Sequence, residues 1–149
     1  MHEDTGPVVT ILNEILEQEL AGVVRYTHYS LLVFGYGRIP IVSWLRSQAD
    51  EALLHAQQAG EMITLLGAYP SLKIGELLDS HKFEIGDILR EAATAEAQAL
   101  TLYRRLLDLV AGKSVTLEEF ARQMIYAEEL HASEVDKMLR RPGELTSAA

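Results

Sequence analysis

Residues 124–138 read MIYAEELHASEVDKM, and the placing of apolar and charged side chains in this stretch decides the fold. Met124, Glu128, His131, Val135 and Met138 fall four, three, four and three residues apart, the spacing of one face of an α-helix. Extending that line backward adds Phe120 and Leu117, so the face is apolar at its ends and carries Glu128 and His131 in the middle. Three residues turn a helix by about 300°, which presents this glutamate and this histidine to one point from adjacent turns. Thr116, with Glu119 three residues on, reads as a capping box, and Pro142 with Gly143 closes the segment, giving a helix over about 116–141.

Working outward, three further segments show the same periodicity and the same interruption. The first runs over about 7–34 and stops at Gly35, Gly37 and Pro40; its stripe is Leu12, Leu16, Glu19, Val23, Tyr26, Ser30 and Val33. The second runs over about 40–67 from Pro40, and its stripe of Leu45, Ala52, Ala59, Met62 and Leu66 includes Gln48 and His55, with Glu51 one residue beside the line. The third covers about 82–111 and ends at Gly112; Glu96 lies among Ile85, Leu89, Ala92, Ala99, Tyr103, Leu106 and Val110. No β-type alternation of useful length occurs, so the fold class is all-α, a four-helix bundle. The outer loops are short and join antiparallel neighbours. Residues 68–81 form the longest connection, a long crossover between the second and third helices.

With 149 residues and 48% hydrophobic content, the chain suits a single domain over 1–149. A net charge of −9 and a pI near 5.0 repel nucleic acid and anionic membrane surfaces and favour cations. Cysteine is absent, so a metal would be held by carboxylate and imidazole. No run reaches the roughly 20 apolar residues of a membrane span. Met1 to Val9 lacks the apolar stretch of a secretory leader, and the expected location is cytoplasmic.

An isolated buried carboxylate costs several kcal/mol against a net stability of about 5–15 kcal/mol, so carboxylates on four inward faces require a shared positive partner. One stripe glutamate could turn to solvent, and one core histidine could simply be hydrogen-bonded. Repetition on all four helices at matching depth instead indicates bound cations. Lone glutamates at Glu19 and Glu96, with the pairs Glu51/His55 and Glu128/His131, make the ligand set of a carboxylate-bridged dimetal site. Such donors suit two iron ions, with manganese or zinc as alternatives. Glu129 reads as solvated, Tyr26 and Tyr103 as core aromatics, Met62, Met124 and Met138 as core filling, and Trp44 as a packing or dimer-contact residue. His2, His28 and His81 stay unassigned.

Over most of its length the chain resembles the bacterioferritin branch of the ferritin-like superfamily. The resemblance is carried by Leu12-Asn13-Glu14 with Gln18-Glu19-Leu20 and Tyr26, Asp50-Glu51 with His55, Leu66-Gly67 with Pro70, Leu89-Arg90 leading to Glu96, and Glu128-Glu129-Leu130-His131. It implies a ferritin-like bundle with a ferroxidase centre: Glu19 and Glu96 terminal, Glu51 and Glu128 bridging, and His55 and His131 each on one iron. It further implies oxidation of Fe(II) by oxygen or peroxide for storage or detoxification, in a homodimer.

Three departures from the family pattern stand out. Ala52 occupies the position three before His55 where the family has glutamate, and Glu51 lies four before it. Leu53 falls near the family's haem-ligating methionine, so methionine-ligated haem is not expected. Arg140-Arg141-Pro142-Gly143 replaces the lead into a fifth helix, which leaves the large hollow cage open. A diiron or dimanganese oxidoreductase acting on an organic substrate or peroxide, and a non-enzymatic bundle with a degraded centre, are the alternative readings.

Overall fold

The computed structural model describes residues 5–146; His2, with the rest of 1–4, and 147–149 lie outside the described residues. Four helices account for the architecture, α1 (Gly6–Leu32), α2 (Arg38–Leu65), α3 (Ile85–Val110) and α4 (Val115–Leu139), and no strand occurs among the described residues. The pairs α1/α2 and α3/α4 pack as hairpins, and α1 also meets α3.

Most boundaries fall within a few residues of those expected. α2 starts at Arg38, two residues before Pro40. Proline is tolerated in that first turn because its missing N–H would have had no intrahelical partner. The start of α4 corrects the sequence reading. Ser114, not Thr116, is the N-cap: its backbone is extended (φ −134°, ψ 114°) and its hydroxyl accepts from the Leu117 N–H at 3.2 Å. Gly112, at φ 75°, lets the chain leave α3 and turn. Thr116 therefore lies inside the first turn, and the Glu119 carboxylate accepts from the Gln123 side chain rather than closing a capping box.

The crossover occupies residues 66–84 and is pinned along α1. The Ser71 N–H donates to Asn13 Oδ1 at 2.7 Å, and the Gly75 N–H donates to the Glu17 carbonyl at 2.8 Å. Near its end, Ser80 donates to Glu91 on α3. It thus carries the chain from the start of α1 toward its end, and α3 runs antiparallel to α1. Three hydrogen bonds between these helices show the register: Tyr29 to Glu91, Tyr26 to Glu96 and Tyr103 to Glu19.

The core has two apolar parts. One gathers residues such as Leu12, Ile15, Ile63, Leu106 and Phe120; the other gathers Tyr29, Val33, Leu45 and Ile88. Each buried side chain of this size contributes about 1.5–3 kcal/mol relative to exposure. Between the two parts lies a polar layer. That layer holds the candidate site.

Candidate metal centre

Glu19, His55 and Glu128 are buried, contributed by α1, α2 and α4. His55 Nδ1 stands 3.7 Å from Glu19 Oε2 and 3.8 Å from Glu128 Oε1. One ligand atom from each of the three lies within 4.8 Å of the others. Glu96 and His131, largely covered, complete the layer from α3 and α4, with His131 Nε2 4.0 Å from Glu96 Oε1. All five, with Glu51 and Gln48, border one small cavity of about 20 Å³. Its size matches ions rather than an organic molecule.

Glu51 is placed differently. Its side chain is 45% exposed, and its Oε1 lies 3.6 Å from Nε2 of His55, the ring nitrogen opposite the one that faces Glu19 and Glu128. Ala52, three residues before His55, is buried against α1, where a Cβ on Gly22 would stand 3.4 Å from the Ala52 Cβ. Small residues at 22 and 52 let the two helices close at this level.

Three aromatic side chains support the charged groups. Tyr103 donates to Glu19 Oε1 at 2.9 Å, and Tyr26 donates to Glu96 Oε1 at 2.8 Å with His131 Nε2 3.2 Å from its oxygen. Trp44 stacks on the His131 ring, centroids 5.8 Å apart and planes within 4°. The sequence reading of Tyr26 and Tyr103 as core aromatics holds for their rings but missed their hydroxyls. The available signal was that a phenol fully inside a core needs a hydrogen-bond partner, and both tyrosines sit on the stripes that carry Glu19 and Glu96. Glu129 is exposed, as expected, and pairs with Arg104.

The electrostatics describe a site short of positive charge. Burial pushes the Glu128 carboxyl up to about 11, reinforced by the carboxylates of Glu96, Glu19 and Glu51. Burial likewise raises Glu19. Glu96 goes the other way: burial opposes its charge, but Glu128, His131 and the Tyr26 hydroxyl together hold it below the usual carboxylate range. For His55, burial disfavours the imidazolium, yet Glu19, Glu51 and Glu96 outweigh it and the net shift is upward.

Two observations test whether cations fit. Glu128 Oε2 is buried without a hydrogen-bond partner, an omission that costs about 1–3 kcal/mol. His55 Nδ1 stands 3.7 and 3.8 Å from the Glu19 and Glu128 oxygens, and His131 Nε2 stands 4.0 Å from Glu96, so both imidazoles face carboxylates from beyond ordinary hydrogen-bond distance. Ligands about 2.0–2.2 Å from a common ion would occupy such an arrangement after a small contraction. The residues fit a carboxylate–imidazole metal site.

The ferritin-like domain family matches residues 9–142. A ferritin-like, diiron-carboxylate protein from Bacillus anthracis superposes with a TM-score of 0.85 at 25% identity, covering 94% of this chain and 100% of that one. A Rhodobacter capsulatus bacterioferritin, described with a metal-free dinuclear site and haem iron, gives 0.84 at 24% identity over 93% of this chain and 86% of that one. A bacterioferritin-related dodecameric thioferritin from Bacteroides fragilis gives 0.82 at 22% identity, covering 91% and 86%. No curated protein matches the sequence.

Proposed function

The chain belongs to the ferritin-like domain family, and from that premise we propose that it is a diiron ferroxidase of bacterioferritin type, binding Fe(II) as substrate and oxidising it with oxygen or peroxide for storage or detoxification. The observation that carries this reading is the buried, unpartnered Glu128 Oε2 at the meeting point of Glu19, His55, Glu96 and His131.

In this reading Glu19, His55 and Glu128 receive one Fe(II), while Glu96, His131 and the shared Glu128 receive the other. Glu51 completes the six from the solvent side. The negative layer favours the higher-charged product, since Fe(III) gains more than Fe(II) from surrounding carboxylates. Each Fe(II) gives up one electron; two electrons and two protons convert one O₂ to H₂O₂, or one H₂O₂ to two H₂O. Glu128, which holds a proton in the absence of a cation, releases it as metal binds. Tyr103 and Tyr26 keep Glu19 and Glu96 oriented, and Trp44 holds the plane of the His131 ring.

A single domain and a homodimer belong to the same proposal. Exposed apolar side chains at the α1/α2 turn and the start of α2, Phe34, Tyr36 and Ile39, supply a surface suited to a second copy. Among the described residues no helix is long and apolar enough to cross a membrane. A cytoplasmic location is part of the proposal.

Stopped-flow mixing of the anaerobic protein, loaded with about two Fe(II) per chain, with dissolved oxygen tests the reading. A fast ultraviolet absorbance rise, lost in Glu128→Ala and His131→Ala with helical content retained, is expected. An iron-loaded parent no faster than free Fe(II), or either variant as fast as the parent, would overturn it.

A further inference from the structure

We infer that His28 and His81 form a second metal site, apart from the buried centre, which takes a late first-row divalent ion of the Zn(II) type and fastens the crossover to α1. His81 Nδ1 stands 3.2 Å from His28 Nε2, with ring centroids 5.3 Å apart. A tetrahedral ion with metal–nitrogen bonds of about 2.0–2.1 Å holds two imidazole nitrogens about 3.3–3.4 Å apart. The pair therefore already stands at the spacing of two adjacent ligands, although 53 residues separate them in sequence.

This spacing is held by neighbours that would not themselves bind the ion. Tyr29, next to His28, donates to Glu91 Oε1 at 2.6 Å. Ser80, next to His81, donates to the two oxygens of the same carboxylate at 3.2 and 3.1 Å. One α3 side chain thus sets both histidine-bearing segments in register, and little ordering remains to be done when an ion arrives.

A cavity of about 180 Å³ opens beside the pair, with room for an ion and its water ligands. Asp79, Glu91 and Arg25 line it, so the two carboxylates exceed the one guanidinium by a single charge, and Glu91 is already engaged by Tyr29 and Ser80. Affinity must come chiefly from imidazole rather than from charge. That selects zinc-like ions over magnesium and calcium, which require oxygen donors. The site shares no residue with the buried centre, and His81 is exposed to solvent.

Zn(II) titration of the otherwise unaltered protein, of His28→Ala, of His81→Ala and of His81→Gln tests the assignment. A glutamine at 81 can still hydrogen-bond to His28 but is a poor zinc ligand, so it separates metal binding from a simple ring contact. Each variant is expected to bind one Zn(II) fewer per chain, or to bind it more weakly by at least the roughly 10–100-fold that loss of a supporting partner costs. Excess Mg(II) is expected to displace none of it. In Glu128→Ala/His131→Ala, where the buried centre is disabled, the His28/His81 ion is expected to persist. Unchanged Zn(II) binding in His81→Ala and His81→Gln, or displacement by Mg(II), would overturn the inference.

Discussion

Trp44 and His131 lie face to face, their planes within 4° and their centroids 5.8 Å apart, so an α2 indole covers one face of an imidazole that α4 delivers to the buried polar layer. Trp44 also meets Tyr26 edge-on at 6.4 Å, and Tyr26 in turn reaches Glu96. The aromatic trio ties three helices together beside the carboxylates.

Because Trp44 is the only tryptophan, its fluorescence reports directly on this position. Anaerobic addition of Co(II) or Fe(II) is expected to quench the emission in proportion to binding, levelling off at about two ions per chain. His131→Ala is expected to lose most of that response. A quench that is identical in His131→Ala would show that the metals lie elsewhere.

The pH dependence of the metal-free protein has a definite sign. Glu128 is raised to about 11 when folded, from an ordinary 4.5, so across that interval the folded state binds more protons than the unfolded state. Its contribution to stability is complete below pH 4.5 and is lost as pH rises toward 11. Glu19 and His55 are also raised and act in the same direction. Between about pH 5 and 8 the chelated protein should lose up to roughly 1.4 kcal/mol per pH unit from the Glu128 proton. Glu128→Gln should flatten the slope, and metal loading should do the same. Chemical denaturation at a series of pH values, with and without chelator, measures this; a slope that steepens upward with pH contradicts it.

Tyr103→Phe removes the only hydroxyl that contacts Glu19 Oε1 at hydrogen-bond distance among the described residues. The expected costs are about 1–3 kcal/mol in the stability of the metal-free protein and roughly 10–100-fold in metal affinity. Calorimetric unfolding and metal titration read the two separately. A purely packing role for the ring would leave the affinity unchanged.

Gly75 and Gly60 should respond oppositely to alanine. A Cβ at Gly75 would stand 2.9 Å from the Glu17 carbonyl oxygen and 3.2 Å from the Gln18 Cα, so the crossover must lift from α1. Gly75→Ala is expected to cost about 1–3 kcal/mol. At Gly60, inside α2, a Cβ meets nothing within 4 Å, and Gly60→Ala should stabilise by about 0.5–1 kcal/mol through helix propensity. Urea midpoints for the two variants provide the comparison.

Glu19, Glu96, Glu128 and His131 were legible as inward-facing because each interrupts a stripe of period 3.6, and a charged group on such a stripe is incompatible with a core unless something binds it. The same reasoning located His55. It did not resolve Glu51, because a residue one position off the stripe faces inward or outward according to how closely neighbouring helices approach, and here Gly22 and Ala52 set that approach. The cap of α4 differs for a related reason: Thr116 has a glutamate three residues on and Ser114 does not, yet the extended backbone and the hydrogen bond to the Leu117 N–H fall at Ser114.

Amino-acid order alone determined the four helices, the crossover and the depth at which charge enters the core, since these follow from local periodicity and from the cost of burying a lone carboxylate. Tertiary structure decided which atoms meet: Nδ1 rather than Nε2 of His55 toward Glu19, the Tyr103 and Tyr26 hydroxyls onto carboxylates, Trp44 against His131, and His81 beside His28. Those pairings depend on the rotation and axial shift of each helix relative to the others, and on the path of the crossover. Both are set by packing between residues distant in the chain.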